Sequence, residues 1–331
     1  MTGIRMYFLS AEDRRKLFKG LVSRGRSMTV DDSLRGWNWD KPPVEPPFDT
    51  IKLGVYEVAN HYCESGRDIF ARRIDGVKGT PSKDMVRGLV YHYAVADEIS
   101  IAKSHMYREG PLGSANLYEH LKAKADERYA SYMLTYGEQF REAAFTEADI
   151  EEVRMNLDKL WTYEATQMAA SIKSILSKQP RIGIDALVHT AIPVIVEQKI
   201  DGNALGLSTH LSVDAFSFDS IVLDMKTGEE KEFHKLSTTG YALVYESIFE
   251  YPINVGCIVY VNFYRNSPVP IIKRVPHLID EPLRREFLES RDLKMKMIYD
   301  RRDPGLPRRC YSKCQYLKHC GVDPEKLEVS N

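Results

Sequence analysis

A chain of 331 residues with 43% apolar and 10% aromatic side chains can bury a substantial core, as one large domain or two small ones. Its formal net charge of −1 and pI near 6.8 exclude a globally basic nucleic-acid binder, so any contact with DNA must use local patches and be salt-sensitive. Five cysteines in a chain this long argue against a disulfide framework. The N-terminal stretch MTGIRMYFLSAEDRRKLFKG is charged early and lacks the apolar centre of a signal peptide. The longest apolar run, near Ala186 to Val196, is interrupted by His189, Thr190 and Pro193 and falls short of the roughly 20 residues of a spanning helix. A soluble, cytoplasmic protein is expected.

The chain begins with an arm. Ser10 as N-cap, followed by Glu12 and Asp13, predicts a helix reaching Arg24. LRGWNWDKPPVEPP then predicts an irregular, extended segment whose tryptophans pack across the body. Leu53 to Arg73 reads as helix with Cys63 in its middle, and Ser82 to Lys103 as a second helix with Met85, Gly88, Leu89, His92 and Ala96 on one face. Gly88, one turn before His92, leaves room for a metal ion or a sugar-phosphate backbone to approach the imidazole, although a lone histidine is more often a satisfied core residue. Residues 111–180 read as two or three further helices, including the heptad-like run Glu147 to Ser177, with no evident chemistry.

After Gly183 the pattern turns to β segments: Ile192 to Lys199, Leu205 to Phe216, Ser220 to Lys226, Val255 to Phe263 and Ile271 to Val275. A helix from Leu236 to Phe249 separates the third from the fourth, which predicts a mixed sheet with flanking helices. Asp280 to Arg302 reads as a basic amphipathic helix, and Arg301, Arg302, Arg308 and Arg309 suit phosphate contacts and an exposed link equally. The chain thus divides into an arm (1–50), a helical lobe carrying Cys63 and His92 (51–180), a sheet core (181–278) and a C-terminal helix with a cysteine cluster (279–331), read as one integrated domain.

The chemistry centres on Asp214, Asp224-Met225-Lys226 and Tyr241. The two aspartates sit about one hairpin apart, so neighbouring strands can bring both carboxylates to one end of the sheet as hard ligands for Mg²⁺ or Mn²⁺. Strand alternation turns Met225 into the core and points Asp224 and Lys226 to the same face, where the lysine can orient water and offset phosphate charge. The triplet alone reads more simply as a hairpin tip, and Glu197-Gln198-Lys199 is a rival; the order of acid, acid-x-Lys and tyrosine decides for the first set. Glu197 is expected as an extra pocket acid.

Cys310, Cys314 and Cys320 follow a Cys-x₃-Cys-x₅-Cys spacing, with Cys63 far upstream. Four thiolates suggest a 4Fe–4S cluster that clips the C-terminus to the first helical segment. Tetrahedral zinc and plain free thiols are the alternatives, although zinc sites more often use two Cys-x₂-Cys pairs or recruit histidine. Cys257, in GCIVYVNFY, reads as a small buried hydrophobe.

This ordered set of one cysteine, G-x-x-x-H, a distal aspartate, an acid-x-Lys, a tyrosine helix and three cysteines resembles the RecB-type iron–sulfur nucleases. Within them the chain is similar to the CRISPR-associated four-cysteine nuclease family, and LRGWNW, YCESGRD and GYALVYESIFEYPINVGCIVY resemble its archaeal type I-A (Csa-type) branch. The resemblance covers nearly the whole chain. It implies an α/β fold with a PD-(D/E)xK core on a mixed sheet, an N-terminal helical lobe and a C-terminal iron–sulfur-bound tail. It further implies that His92, Asp214 and Asp224 bind the metal, that Lys226 is catalytic beside Tyr241, and that Cys63, Cys310, Cys314 and Cys320 hold the cluster. The implied activity is DNA cleavage at single-stranded ends in prespacer processing, in company with the integrase complex; a weakly cutting or inactive end-binding subunit is the alternative. The chain departs from the family pattern at Ser237, where a glutamine is usual, at Asp224, where glutamate is commoner, and in a cysteine spacing one residue long, with Gln315 where proline is often found.

Overall fold

Hydrophobic periodicity sorts this chain into a helical half and a sheet half, and the computed structural model, which describes residues 17, 18, 20–217 and 220–323, shows how they join. The expected helix start at Ser10, Glu12 and Asp13 lies outside the described residues. The first helix lying wholly within the described residues, α1 (Leu21–Ser27), is short and is preceded by Gly20 at φ 73°. The arm is irregular as expected, but the tryptophans are not its anchors. Trp39 is exposed and Trp37 half-buried, whereas Leu34, Arg35, Gly36 and Val44 are buried. Gly36 passes so close to the body of the protein that a Cβ there would stand 1.9 Å from the Leu243 carbonyl oxygen.

The single helix expected over Leu53 to Arg73 is broken in two, α2 (Val55–Ala59) and α3 (Arg67–Arg73), with Cys63 in the loop between them. Asn60 Oδ1 accepts the Tyr62 N–H at 2.9 Å, a local turn that competes with helix, and Gly66 adopts φ 74°. The next helix, α4 (Lys83–Gly113), starts where Ser82 Oγ accepts the Met85 N–H and runs well past Lys103 to a break at Gly110 and Pro111. Its buried stripe is Val86, Val90, Tyr91, Ala94 and Val95, leaving Met85 and Leu89 exposed instead of sharing a packed face with Ala96. Helices α5 (Leu117–Thr135), α6 (Gly137–Glu142) and α7 (Glu147–Lys178) complete the lobe, with Thr146 and Asp149 capping α7 reciprocally. Trp161, Tyr129 and Tyr132 fill its interior. The apolar run near 186–196 divides into helix α8 (Ile184–Ala191) and a strand, because Pro193 forces the chain out of helix before it.

Among the described residues five strands, β1 (Val194–Ile200), β2 (Leu211–Ser217), β3 (Ile221–Thr227), β4 (Val255–Asn262) and β5 (Ile271–Leu278), form one sheet in chain order. All neighbours are antiparallel except β3 and β4, whose parallel pairing requires a crossover, supplied by helix α9 (Lys235–Phe249). Leu223, Met225, Cys257 and Val259 join the core shared with the helical lobe, while Val213 and Val222 join the core under α9 and the arm. The fold is mixed α/β, and among the described residues no helix is long and apolar enough to cross a membrane.

The last helix, α10 (Glu281–Tyr299), is capped by Asp280 and carries basic residues as expected, but the inward ones are buried and serve the fold. Arg291 donates to the carbonyls of Val44 and Leu205, and Lys294 to those of Glu57, Val58 and Asn60. Arg284 pairs with Glu246 on α9 at 2.8 and 2.9 Å, where Arg35 of the arm joins at 2.7 Å. Both Glu246 and Arg284 are wholly excluded from solvent. Removing the anion leaves two cations uncompensated, so Glu246→Ala should cost about 3–5 kcal/mol of stability in urea unfolding. A loss under about 1 kcal/mol would contradict this account, since that is the worth of an exposed pair.

Candidate active site

The β2–β3 hairpin pairs Ala215 with Leu223 and Phe216 with Val222, so continuing the register by one residue sets Asp214 across from Asp224. Met225 is fully buried toward the helical lobe, and alternation turns Asp224 and Lys226 to the other face. Lys226 Nζ lies 2.6 Å from Asp224 Oδ2. Asp214 Oδ2 accepts the Met225 N–H at 2.9 Å and stands 3.2 Å from His92 Nδ1, which reaches across from α4. Tyr241 rises from α9 beside them. Its phenol is pushed well above the ordinary range, by burial first and then by the charges of Asp214, Asp224 and Glu197. The structure therefore brings His92, Asp214, Asp224, Lys226 and Tyr241 together, with the buried Ser237 one turn before the tyrosine.

The rival triplet does not form such a site. Glu197 and Lys199 are exposed, and Gln198 Oε1 accepts the Tyr245 hydroxyl at 2.6 Å. Glu197 sits at φ 49° and holds the Ser212 hydroxyl at 2.6 Å, an acid on the rim within the electrostatic reach of Tyr241. The space beside Gly88 is also not an open approach to His92. A Cβ at Gly88 would meet Thr227 Oγ1 at 2.9 Å, so the glycine lets α4 lie against the end of β3.

The two acids are unequal. Burial pushes Asp214 up, but His92, Lys226 and the Met225 N–H outweigh it and hold that carboxyl below its usual range. For Asp224 burial wins over Lys226 and, with Asp214 adding repulsion, raises the pKa to about 6. The close contact of Asp224 Oδ2 with the Lys226 ammonium lowers that pKa but does not overcome the burial. Burial also opposes the charge on Lys226, and the two acids more than offset it. Among the described residues no three histidine, cysteine, aspartate or glutamate side chains stand at the spacing one ion requires, and in the pocket His92 and Lys226 are paired with the carboxylates. The donor set of one imidazole and two carboxylates nevertheless suits a hard divalent cation.

A second site lies at the meeting of the chain's ends. Cys63, Cys310, Cys314 and Cys320 line one small cavity, all as free thiols, while Cys257 is buried in β4 apart from them. Burial, with smaller contributions from Asp68, Cys63 and Cys320, raises the Cys314 thiol to about 11, which marks the thiols as mutual neighbours. The cavity is closed by contacts of its own: Arg67 grips both carboxylate oxygens of Asp303, Tyr62 stacks on Tyr311 at 4.5 Å, and the Thr80 N–H donates to the Gln315 carbonyl at 3.3 Å. Four soft donors on the walls of one cavity suit a thiolate-ligated inorganic group. Between the two sites stand Tyr62, His234 and Tyr260, which sequence reasoning passed over; the even-numbered alternation of Ile258 and Tyr260 on β4 was the available signal.

These features define a mixed α/β protein with an acid–lysine–imidazole pocket at the sheet and a separate four-thiol cavity. The family model described as CRISPR-associated exonuclease Csa1 matches residues 6–323, and the chain belongs to that family. It is 31% identical over 293 residues to the CRISPR-associated exonuclease Csa1 of Saccharolobus solfataricus, covering 88% of this chain and 92% of that one. The protein of the same description from Thermoproteus tenax is 24% identical over 309 residues, covering 93% and 98%. No solved structure matches the chain.

Burial disfavours the His92 imidazolium, but Asp214 more than offsets it, so the ring keeps its proton to higher pH than a free imidazole. The pair's stabilisation is complete between the unfolded values of about 3.9 for aspartate and about 6.5 for histidine. It is lost as pH rises through the raised His92 midpoint and as pH falls through the depressed Asp214 midpoint. In the metal-free protein, Asp214→Asn removes the anion and leaves the burial, so NMR titration should show the His92 midpoint falling below the free value. A midpoint unmoved by the substitution would contradict the pairing.

Proposed function

We propose that the chain is a Mg²⁺- or Mn²⁺-dependent DNA nuclease of the RecB-type PD-(D/E)xK class, trimming DNA ends for the CRISPR integrase complex, with a 4Fe–4S cluster as a structural clip. The observation that carries this reading is the convergence of Asp214, Asp224 and Lys226 on one sheet face, with His92 brought to Asp214 from α4. The two curated relatives, each described as an exonuclease, support a nuclease role. His92, Asp214 and Asp224 would hold the cation, which supplies a Lewis acid and a bound water of lowered pKa. Lys226, kept protonated by both acids, offsets the negative charge that builds on the phosphate. Tyr241, held in its neutral form, serves as a hydrogen-bond donor and not as a base.

Unpaired ends are the favoured substrate. Met85 and Leu89 stand exposed on the face of α4 that carries His92, apolar surface suited to bases and poorly suited to the phosphate exterior of a duplex. The four thiols are read as cluster ligands because they line one cavity and their Cys-x₃-Cys-x₅-Cys spacing with a distant fourth is unlike the paired Cys-x₂-Cys usual for zinc. The arm, lobe, sheet and tail work as one integrated domain, since the cluster ligands come from the second and the last of them. A weakly cutting subunit that binds ends or scaffolds the integrase is the second reading; it is favoured by Ser237, which is buried and short.

Cleavage of a labelled single-stranded oligonucleotide with Mn²⁺ tests the pocket: Asp214→Ala and Lys226→Ala should each lower the rate by at least about 10²–10³-fold. Wild-type rates in both would sink the enzyme and leave the binding subunit. For the second site, anaerobically purified protein should be brown with about four iron atoms per chain, and Cys63→Ala should lose them. A colourless protein holding stoichiometric zinc would overturn the cluster.

A further inference from the structure

Three side chains, the first of them on the wall of the thiol cavity, connect that cavity to the acid–lysine pocket. Tyr62 precedes Cys63 and stacks on Tyr311, which follows Cys310; its edge also meets Phe233 at 4.9 Å. The Tyr62 hydroxyl stands 3.2 Å from His234 Nε2, and His234 Nδ1 stands 2.9 Å from the Tyr260 hydroxyl. Tyr260 is the partner of Lys226 in the parallel register of β3 and β4, so the two side chains lie side by side on one face.

The chain has a direction. His234 is buried, and that burial, with Lys226 and Lys231 near, lowers its pKa to about 4, so the ring is neutral and carries one N–H and one lone pair. The Tyr260 oxygen accepts the Lys231 N–H at 3.4 Å and lies in the field of the Lys226 ammonium. Both neighbours favour its lone pairs, which leaves its proton for His234 Nδ1. His234 is then the Nε2–H tautomer and donates to the Tyr62 oxygen. Helix α9, with Tyr241, begins at the very next residue, Lys235.

We propose that Tyr62, His234 and Tyr260 form a hydrogen-bond chain through which closure of the Cys63 loop on the C-terminal tail holds Lys226 in place beside Asp224. All three are positioning residues, since none reaches a substrate, and the proposal rests on reading Lys226 as the group that steadies the reacting phosphate. If the thiol cavity opens, Tyr62 withdraws from His234, the tautomer is no longer fixed, and Tyr260 is free to turn away from the lysine.

Tyr62→Phe in the full, cluster-loaded chain is the decisive variant, because it keeps both ring contacts and removes only the hydroxyl. Iron content and melting temperature should match wild type. The kcat for Mn²⁺-dependent cleavage should fall about fivefold at unchanged KM, the effect of one misaligned hydrogen bond. In ¹⁵N NMR with labelled histidine and lysine, the wild type should show one ring fixed as Nε2–H. That ring signal should respond to both Tyr62→Phe and Tyr260→Phe, and the Lys226 signal should move in Tyr62→Phe. Absence of such a ring, a Lys226 signal indifferent to Tyr62→Phe, or wild-type kcat in an active Tyr62→Phe protein would overturn the proposal. A wild-type protein that cuts nothing would instead defeat the nuclease reading, and the ring and lysine signals would still decide the chain.

Discussion

Glu246 is the buried anion on which the ends of this chain are hung. Its two oxygens accept from Arg284 twice, from Arg35, and from the N–H groups of Gly36 and Ile253. One side chain therefore fixes the arm, α9, the start of β4 and α10 relative to one another. The lower-dielectric interior makes such a cluster costly to leave half-made, which gives it more weight in selecting one arrangement than in adding net stability. From that anchor α10 runs to Lys294, whose ammonium, lowered to about 8 by its burial, is held by three carbonyls of the segment leading to Cys63. The helix thus delivers the C-terminal cysteines to the loop of the first one.

The pocket answers a different constraint. Two acids facing each other across a hairpin repel, and burial makes both harder to ionise. Asp214 is supplied with a backbone N–H and an imidazole and stays ionised; Asp224 has the Lys226 ammonium against it, yet burial and the neighbouring Asp214 bring it nearer neutrality. That asymmetry gives the pocket one satisfied carboxylate and one open to a proton or a cation. It depends on both halves of the fold, because the imidazole comes from α4 and the acids from the sheet.

Much of this was legible in the residues themselves. Alternation along Asp224-Met225-Lys226 is a property of any strand, and it placed the methionine in the core and the two charges together. The caps at Ser82 and Asp280, the crossover helix and all five strands obey equally local rules, which is why only their ends moved. The Leu53 to Arg73 segment failed because apolar spacing favoured helix, while Asn60 and Gly66 turn the chain so that Cys63 faces the tail.

Local pattern along the chain was enough for the set of elements, the face on which each charged group would stand, and the residue types available for chemistry, because capping, alternation and turn formation act over a few residues. Folding in three dimensions was needed to make Arg284, Arg291 and Lys294 buried structural cations, to anchor the arm through Arg35 and Gly36 where tryptophan was expected, and to bring Tyr62 to His234. Their partners lie tens to hundreds of positions away, and a charge or ring whose environment is made by distant backbone carries no local mark of it.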